Sequence, residues 1–107
     1  MARKKLETLT EQMYYVLLSL WAEPRHGYGI MQYVDTLTRG RVAIGAGTLY
    51  ALLARFEEEK LIVFTGTQEG RKYYALSAEG RHTLQEEYRR LGRQLADGAA
   101  LLREEEP

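Results

Sequence analysis

The chain has 107 residues, which is enough for one compact domain with a modest hydrophobic core. It has no cysteine, so disulfides and thiolate metal sites are excluded, and its 15 basic and 15 acidic residues cancel, which argues against indiscriminate nucleic-acid binding. No apolar run approaches the roughly 20 residues of a membrane span, and no apolar segment follows the basic residues at the start, so we expect a soluble, cytoplasmic protein without a membrane partner.

Charge is distributed unevenly along the chain. Between Pro24 and Phe56 there are four arginines and one aspartate, whereas from Glu79 to the end there are five arginines and seven acidic residues. A basic middle segment gives modest support to a partner that carries negative charge. Residues 1 to 9 form a short arm, most simply explained as a frayed terminus, and its basic residues are Arg3, Lys4 and Lys5.

The first predicted helix begins after Thr10, whose hydroxyl can accept a hydrogen bond from an otherwise unpaired backbone N–H. Its apolar residues recur at helical spacing, and tyrosines on other sides make it apolar more than halfway round. Such a helix lies at the centre of a small domain or contacts a second subunit. Trp21, the only tryptophan, is by default a core residue. The stripe is Met13, Val16, Leu17, Leu20 and Trp21, and the flanking tyrosines are Tyr14 and Tyr15.

The second predicted helix opens within residues 25–29, Arg-His-Gly-Tyr-Gly, after Pro24 has ended the first helix. It closes at Arg39-Gly40 through a glycine cap. The connector that follows is longer than the tight turn of the simplest helix-turn-helix motifs. It predicts a short extended segment at residues 42–44, and with the third helix it completes a helix-turn-helix succession.

The third predicted helix occupies the stretch from Gly45 to Lys60 and has two different faces. One face is an apolar stripe at the spacing i, i+3, i+4, i+7, formed by Leu49, Leu52, Leu53 and Phe56. The other face carries small residues and hydrogen-bond donors, which suit close approach to a DNA groove and contacts to phosphates or base edges. An alanine-rich surface helix is the alternative. The residues of this face are Gly47, Thr48, Tyr50, Ala51, Ala54 and Arg55.

A β-hairpin is predicted next. Residues 61–67, LIVFTGT, are rich in β-branched and aromatic side chains, residues 68–70 form a turn signal, and residues 71–76, RKYYAL, form the returning strand with a basic tip at Arg71 and Lys72. Tyr73 and Tyr74 should lie on opposite faces. Three helices followed by a hairpin predict a mostly helical α+β fold, a winged helix-turn-helix with a two-stranded wing.

A fourth helix is predicted from a cap at Ser77 to about Arg103, with a possible bend at Asp97-Gly98. Its apolar residues step by four, three, four and seven, which gives a heptad-like seam beyond the compact domain. The same helix of a second subunit would bury this seam most simply, and folding back within a monomer is the alternative. The seam residues are Leu84, Tyr88, Leu91, Leu95 and Leu102.

With these pieces in order, residues 10 to 100 resemble the PadR family of bacterial transcriptional regulators, in its shorter branch with a single C-terminal helix. The matching stretches are residues 26–30, HGYGI; residues 47–50, GTLY; residues 55–62, RFEEEKLI; and residues 71–81, RKYYALSAEGR. Two departures are Ala51-Leu52, where many members have Pro-Ala, and Gly29, where an acidic residue is common. Because Ala51 faces the proposed groove, base preference is not transferable.

The resemblance implies a winged-helix homodimer, held by its first and last helices, that binds double-stranded DNA at a pseudo-palindromic operator, usually as a repressor. Residues 1–77 would form the DNA-binding domain and residues 78–107 the dimerisation helix. The predicted dimer contacts are Tyr14, Leu17, Leu84, Tyr88, Leu91, Leu95 and Leu102. The predicted DNA contacts are Tyr28, Gly47, Thr48, Tyr50, Ala51, Arg55, Arg71 and Lys72.

Three further expectations complete the sequence reading. A small aromatic or lipophilic effector could bind between the first helices of the dimer, near Tyr14, Tyr15 and Trp21. The main alternative function is a winged-helix module that binds proteins and not DNA. An enzyme is not expected, because no cysteine, glycine-rich phosphate loop or paired-carboxylate motif is present, and the distant His26 and His82 do not indicate a metal site. No cofactor is predicted.

Overall fold

The computed structural model describes residues 8–102, so the arm with Arg3, Lys4 and Lys5 and the last five residues lie outside the described part. The described residues form four helices and three strands, and apart from a short strand before the second helix their order is the predicted one: three helices, a hairpin and a C-terminal helix. Their bounds are α1 (Glu11–Ser19), β1 (Arg25–His26), α2 (Gly27–Thr38), α3 (Ala46–Glu58), β2 (Ile62–Gln68), β3 (Arg71–Leu76) and α4 (Ala78–Leu102). The prediction of a mostly helical α+β winged helix-turn-helix is confirmed.

Helices α1, α2 and α4 each begin at a side-chain cap, and the sequence indicated two of these caps, Thr10 and Ser77. The Thr10 hydroxyl accepts a hydrogen bond from the Met13 N–H at 3.2 Å. The Nδ1 atom of His26 accepts one from the Gly29 N–H at 3.0 Å, which makes His26 the N-cap of α2. The Ser77 hydroxyl accepts from the Gly80 N–H at 3.0 Å at the start of α4. Each cap supplies an acceptor to an N–H that has no partner within its own helix.

The end of α2 differs slightly from the prediction. The C-cap is Arg39, which is itself left-handed with φ of 53°, and Gly40 follows with φ of 78°. The Gly40 N–H donates to the Asp35 carbonyl oxygen at 2.9 Å, which turns the chain sharply away from the helix axis. The helix is therefore capped by Arg39 and not by the glycine, which follows as a second left-handed residue. Arg39 adopts a backbone conformation that residues other than glycine rarely adopt.

The sheet has three strands, not the two that the sequence predicted. The third strand is β1, which pairs antiparallel with β3 through the partners Arg25 with Tyr74 and His26 with Tyr73, so the strand order is β1-β3-β2. The predicted extended segment at residues 42–44 forms no strand. Its Val42 N–H instead donates to the Thr38 hydroxyl at 3.1 Å. The connector therefore stays against the end of α2.

The core lies between the three amino-terminal helices and the start of the hairpin and α4. Its largest fully buried side chains are Phe56, Leu17, Ile30, Leu49 and Leu53. The burial of Leu49, Leu53 and Phe56 confirms the apolar stripe of α3. Leu17 and Leu84, predicted at the dimer interface, are only 0% and 3% exposed and belong to this core. That prediction is corrected, because side chains enclosed within their own subunit have almost no surface for a partner to cover.

Helix α4 joins the domain through its first turns and then leaves it. Gly80 lies so close to the Leu61 carbonyl that any β-carbon would collide with it. Beyond Glu87 no residue of α4 up to Leu102 is buried within the subunit, and the chain stays helical through Asp97-Gly98. The possible bend at Asp97-Gly98 therefore does not interrupt the helix, which carries an unburied apolar stripe whose most exposed members include Tyr88, Leu95 and Leu102.

A buried carboxylate connects the segment before α1 to α4. Glu87 is 3% exposed, accepts the Leu9 N–H at 3.1 Å and receives two hydrogen bonds from Arg90 at 2.6 and 2.9 Å. The hydrogen bonds from Arg90, together with that of Leu9 and the guanidinium charge, outweigh burial and hold the pKa of Glu87 below its ordinary value. The folded state therefore favours the ionised carboxylate.

Replacing Glu87 by Gln should lower the free energy of unfolding at pH 7 by about 1 to 2 kcal/mol, because the charged acceptor of Arg90 is lost. Since the pKa is depressed on folding, the contribution is present above the unfolded pKa of about 4.3 and disappears as pH falls through the folded value. Urea unfolding at fixed protein concentration should show the two proteins converging at low pH.

The matched control is Glu86→Gln, which removes the same charge from an exposed pair with Arg89 at the same i, i+3 spacing. Exposed pairs of this kind contribute roughly 0 to 1 kcal/mol. An equal loss in both variants, or a Glu87→Gln deficit that does not shrink in acid, would contradict a specific role for the buried carboxylate.

Candidate nucleic-acid interface

The outward face of α3 is unburied along its amino-terminal half. Gly47, Thr48, Ala51 and Ala54 are all exposed, and Tyr50 is 55% exposed. Gly45, the N-cap, provides no side-chain hydrogen bond to the first turn. The amide groups of that turn can therefore donate to an acceptor on another molecule, and the small side chains would let that molecule approach the backbone closely.

A cleft of about 500 Å³ opens between this face, the start of α2 and the wing. It contains three tyrosines, two cationic side chains and a histidine, and four of the predicted DNA contacts meet there although they come from three separate elements. The residues that line it are His26, Gly27, Tyr28, Tyr50, Gly70, Arg71, Lys72 and Tyr74. Hydrogen-bond donors and positive charge in an open cleft suit an anionic group such as a phosphate.

Tyr50 lies over the beginning of α2. A β-carbon at the buried Gly27 would lie 2.7 Å from the Tyr50 hydroxyl oxygen, so glycine provides the space in which the phenol rests. The sequence reading named residue 27 only as part of a motif and missed this role. The sequence does show a glycine directly after His26, the N-cap of α2. However, Tyr50, which occupies the space that Gly27 leaves, is 23 residues away, and only the packing of α2 on α3 reveals the contact.

The wing differs from the predicted hairpin with a basic tip. The turn itself is Glu69-Gly70, with left-handed φ angles of 50° and 77°. Arg71 points back toward α2, with its Nη1 atom 3.1 Å from Nε2 of His26 and its guanidinium carbon 5.8 Å from the centre of the Tyr28 ring. The positive charge is therefore concentrated in the cleft between wing and helix, and not at the end of the hairpin.

Arg55 lies apart from this cleft. Its Nε atom is 3.3 Å from a carboxylate oxygen of Glu59, one turn further along α3, and its side chain is 38% exposed. A phosphate or a guanine would have to compete with this internal carboxylate for the guanidinium. The predicted DNA contact by Arg55 stays a prediction, and the i, i+4 spacing of the pair was already visible in the sequence.

The two tyrosines of β3 separate as predicted. Tyr74 is 9% exposed, whereas Tyr73 is half-buried and its ring meets the His26 ring edge-on, with centroids 5.2 Å apart. Burial, followed by the nearby Glu57 and Tyr50, raises the pKa of Tyr74 above its ordinary value. The phenol at the bottom of the cleft thus keeps its proton at neutral pH and adds no negative charge there.

A second groove, of about 310 Å³, lies between α1 and α4. Trp21 lies on its rim, 38% exposed, with the Arg81 guanidinium carbon 4.5 Å from the ring centre, so the default assignment of this tryptophan to the core is wrong. Tyr15 does not line this groove, and its predicted place near an effector between the first helices of a dimer stays a prediction. The lining residues are Tyr14, Leu18, Trp21, Leu84, Gln85 and Tyr88.

Two other kinds of site were sought between residues 8 and 102. No three histidine, aspartate or glutamate side chains in that range lie together in an arrangement that would hold a metal ion. No helix in the same range combines the length and the apolar character that a membrane crossing requires.

Comparison with known proteins identifies the architecture. The family model described as "Transcriptional regulator PadR-like family" matches residues 16–86, which is most of the described chain. The chain belongs to the PadR-like family of transcriptional regulators. The match begins within α1 and ends within α4, so it includes every residue of the cleft. The resemblance inferred from the sequence motifs is confirmed.

Three relatives place this PadR-like chain more closely. The transcriptional regulator YqjI of Escherichia coli is 30% identical over 71 residues; those residues are 66% of this chain but 34% of YqjI, so the chain spans about a third of that relative. A PadR-like regulator from Bacillus cereus is 26% identical, with a TM-score of 0.70 over 85% of this chain and 90% of its own. Bacillus subtilis PadR, solved in complex with operator DNA, shares the fold at 24% identity and a TM-score of 0.62, over 71% of this chain and 45% of its own.

Proposed function

We propose that this PadR-like chain is a sequence-specific DNA-binding regulator that acts as a homodimeric repressor, with α3 in the major groove. The observation that carries the proposal is the unburied small-residue face of α3 directly beside the cationic cleft. A module that binds only proteins would require neither feature. The solved complex of Bacillus subtilis PadR with operator DNA supports DNA as the partner. The proposal assigns the chain no catalytic role and no cofactor.

Positioning and reading are separate tasks in this proposal. The hydroxyl groups of Tyr28, Thr48 and Tyr50 would donate to phosphate oxygens, and Arg71 and Lys72 would neutralise phosphate charge beside them. Gly47 and Ala51 would bring the α3 backbone close to the base edges, because neither side chain fills the space in between. Arg55, at the other end of the helix, would reach a flanking phosphate or a guanine edge after leaving Glu59.

Binding to DNA can be tested with a duplex selected by the wild-type protein from a random-sequence pool. We expect affinity to fall steeply with salt, because each neutralised phosphate releases counterions. Lys72→Gln should lower the slope of log affinity against log salt by about 0.9. Lys60→Gln is the matched control, since this exposed lysine lies outside the cleft and its loss should change the slope much less.

Tyr50→Ala should weaken binding to the same duplex by about tenfold, because a hydrogen bond to a charged phosphate contributes roughly 1.5 to 3 kcal/mol. Since Tyr50 is 55% exposed, the variant should fold normally, which thermal unfolding will verify. Unchanged affinity in a folded variant would remove Tyr50 from the interface. A wild-type protein that selects no duplex would contradict the proposal as a whole.

The homodimer in this proposal is held mainly by the far part of α4. Tyr88, Leu91, Leu95 and Leu102 lie on the unburied stripe, and the half-buried Tyr14 of α1 adjoins it in the groove. A single subunit exposes this stripe to water, and pairing with a second copy would bury it. The pair would present two α3 helices about 34 Å apart, one turn of DNA. In this division, residues 1–77 bind DNA and residues 78–107 dimerise.

Leu95→Glu should convert the dimer to monomers, because it places a charge where apolar side chains of two subunits would meet. Leu95 is 75% exposed within one subunit, so the fold of the subunit should survive. Gln94→Glu adds the same charge at the neighbouring exposed position and should leave the dimer intact. Analytical ultracentrifugation will separate the cases, and a Leu95→Glu protein that is still dimeric would exclude this stripe as the interface.

We also propose that a small aromatic or lipophilic effector binds in the groove between α1 and α4. Trp21 is exposed on the groove rim and is the only tryptophan, so its emission reports on this groove alone. A phenolic or lipophilic compound that binds should shift that emission. Leu18→Ala, within the groove, should weaken the response, whereas Leu37→Ala, exposed elsewhere, should not. Unaltered emission across a panel of such compounds would refute the effector site.

A further inference from the structure

His26 and Arg71 approach each other in a way that a direct hydrogen bond does not explain. Nε2 of His26 and Nη1 of Arg71 are 3.1 Å apart. Arginine has only donors, so the contact would be a hydrogen bond only if Nε2 carried a lone pair. The protonation of the imidazole therefore decides what this pair of side chains can bind.

The cap of α2 fixes that protonation. Nδ1 of His26 accepts the Gly29 N–H at 3.0 Å, so Nδ1 has its lone pair directed at the helix and no proton. A neutral imidazole with an unprotonated Nδ1 has its proton on Nε2. The ring cannot turn over without loss of the cap, and the edge-on Tyr73 ring packs against it. The result is an Nε2–H group beside a guanidinium Nη1, two donor nitrogens 3.1 Å apart.

Two adjacent donors can share one acceptor. His26 and Arg71 both line the cleft between α2 and the wing, together with Tyr28 and Lys72. Among the described residues that line this cleft, none has a carboxylate that could serve as the acceptor. A negatively charged acceptor inside the cleft would therefore belong to another molecule, and a phosphate oxygen has the lone pairs to accept from both groups.

We propose that His26 is a phosphate-binding residue as well as the N-cap, and that its Nε2–H and Arg71 bind the same phosphodiester group of duplex DNA. This inference rests on the proposed function. It assigns to one phosphate a fixed place at the junction of α2 and β3, because the cap holds one donor and the hairpin holds the other. One histidine thus links the start of the helix to the placement of the DNA backbone.

The tautomer provides a test that needs no DNA. Long-range ¹H–¹⁵N NMR spectra of the free protein near pH 8 distinguish a protonated Nδ1 from a protonated Nε2. We expect His26 to show the Nε2–H form and an unprotonated Nδ1. The Nδ1–H form would overturn the inference, because Nε2 would then accept from Arg71 and the pair would be complete without a phosphate.

The second test measures binding to a duplex selected by the wild-type protein. His26→Asn keeps a capping oxygen for the Gly29 N–H and removes the outer donor, so affinity should fall about tenfold at every salt concentration with an unchanged salt slope. Arg71→Gln should lower the slope by about 0.9, because it removes a cation. His82→Asn, an exposed histidine outside the cleft, is the matched control and should bind as the wild type does.

The affinity losses caused by His26→Asn and Arg71→Gln should not multiply. Because both side chains bind one phosphate, the double variant should lose clearly less affinity than the product of the single losses. When the phosphate that both side chains bind is replaced by a neutral methylphosphonate, the wild type and both single variants should bind the duplex with the same affinity. Multiplying losses, or a folded His26→Asn protein with wild-type affinity, would overturn the inference while DNA binding itself stands. If asparagine does not cap α2 and the His26→Asn protein fails to fold, Arg71→Gln still tests the inference. Arg71 is exposed, so this variant should fold, and it should bind the methylphosphonate duplex as the wild type does.

A wild-type protein that selects no duplex would overturn the proposed function and this inference together. The tautomer of His26 separates failure of the proposed function from failure of the donor pair. If Nε2 is protonated but the protein binds no DNA, His26 and Arg71 still form a pair of donors, and the error lies in the choice of DNA as their partner.

Discussion

The antiparallel pairing of β1 with β3 is the constraint on which the cleft depends. It involves only Arg25 and His26 on one side, yet it joins the start of α2 to the returning strand of the wing. Arg25 strengthens the junction, because its Nε donates to the Ser19 carbonyl at 2.6 Å and its guanidinium carbon lies 4.1 Å from the centre of the Tyr33 ring. Without this pairing the hairpin would lose one of its contacts with the helices, and the backbone would no longer hold Arg71 beside His26.

The two faces of α3 divide stability from function. Leu49, Leu53 and Phe56 hold the helix in the core, and their burial leaves the small residues of the other face exposed. A glycine N-cap and exposed small residues contribute little to stability, and both suit a surface that another molecule covers. The cleft adds donors beside that face, so the neutral total charge of the chain conceals a local excess of positive charge.

Helix α4 is divided in a similar way. Gly80, Leu84 and Glu87 fasten its first turns to the hairpin, the core and the segment before α1. The remaining turns extend away with large apolar side chains in solvent, which a soluble monomer seldom retains as a continuous stripe. In the proposed function, effector binding and dimerisation would be coupled, because the groove that contains Trp21 lies against the same helix that would hold the partner subunit.

Local signals in the sequence determined much of this structure. The caps at Thr10 and Ser77 were readable because a cap acts within three residues of itself, and the apolar stripe of α3 was readable because helical periodicity is a property of one segment. Local chemistry also identified the side chains of the cleft that suit a phosphate, such as Tyr50 and Lys72. The pairing of Arg55 with Glu59 was equally local and was overlooked.

Tertiary structure alone decided the rest. A two-residue strand has no periodicity, so β1 existed only once β3, from 45 residues further along the chain, lay beside it. Leu17 and Leu84 have the same apolar chemistry as Leu95, and only the crossing of α1 with α4 placed two of them inside the subunit and one outside. The space that Gly27 leaves for Tyr50 and the return of Arg71 to His26 likewise depend on contacts between distant segments, which no single stretch of sequence encodes.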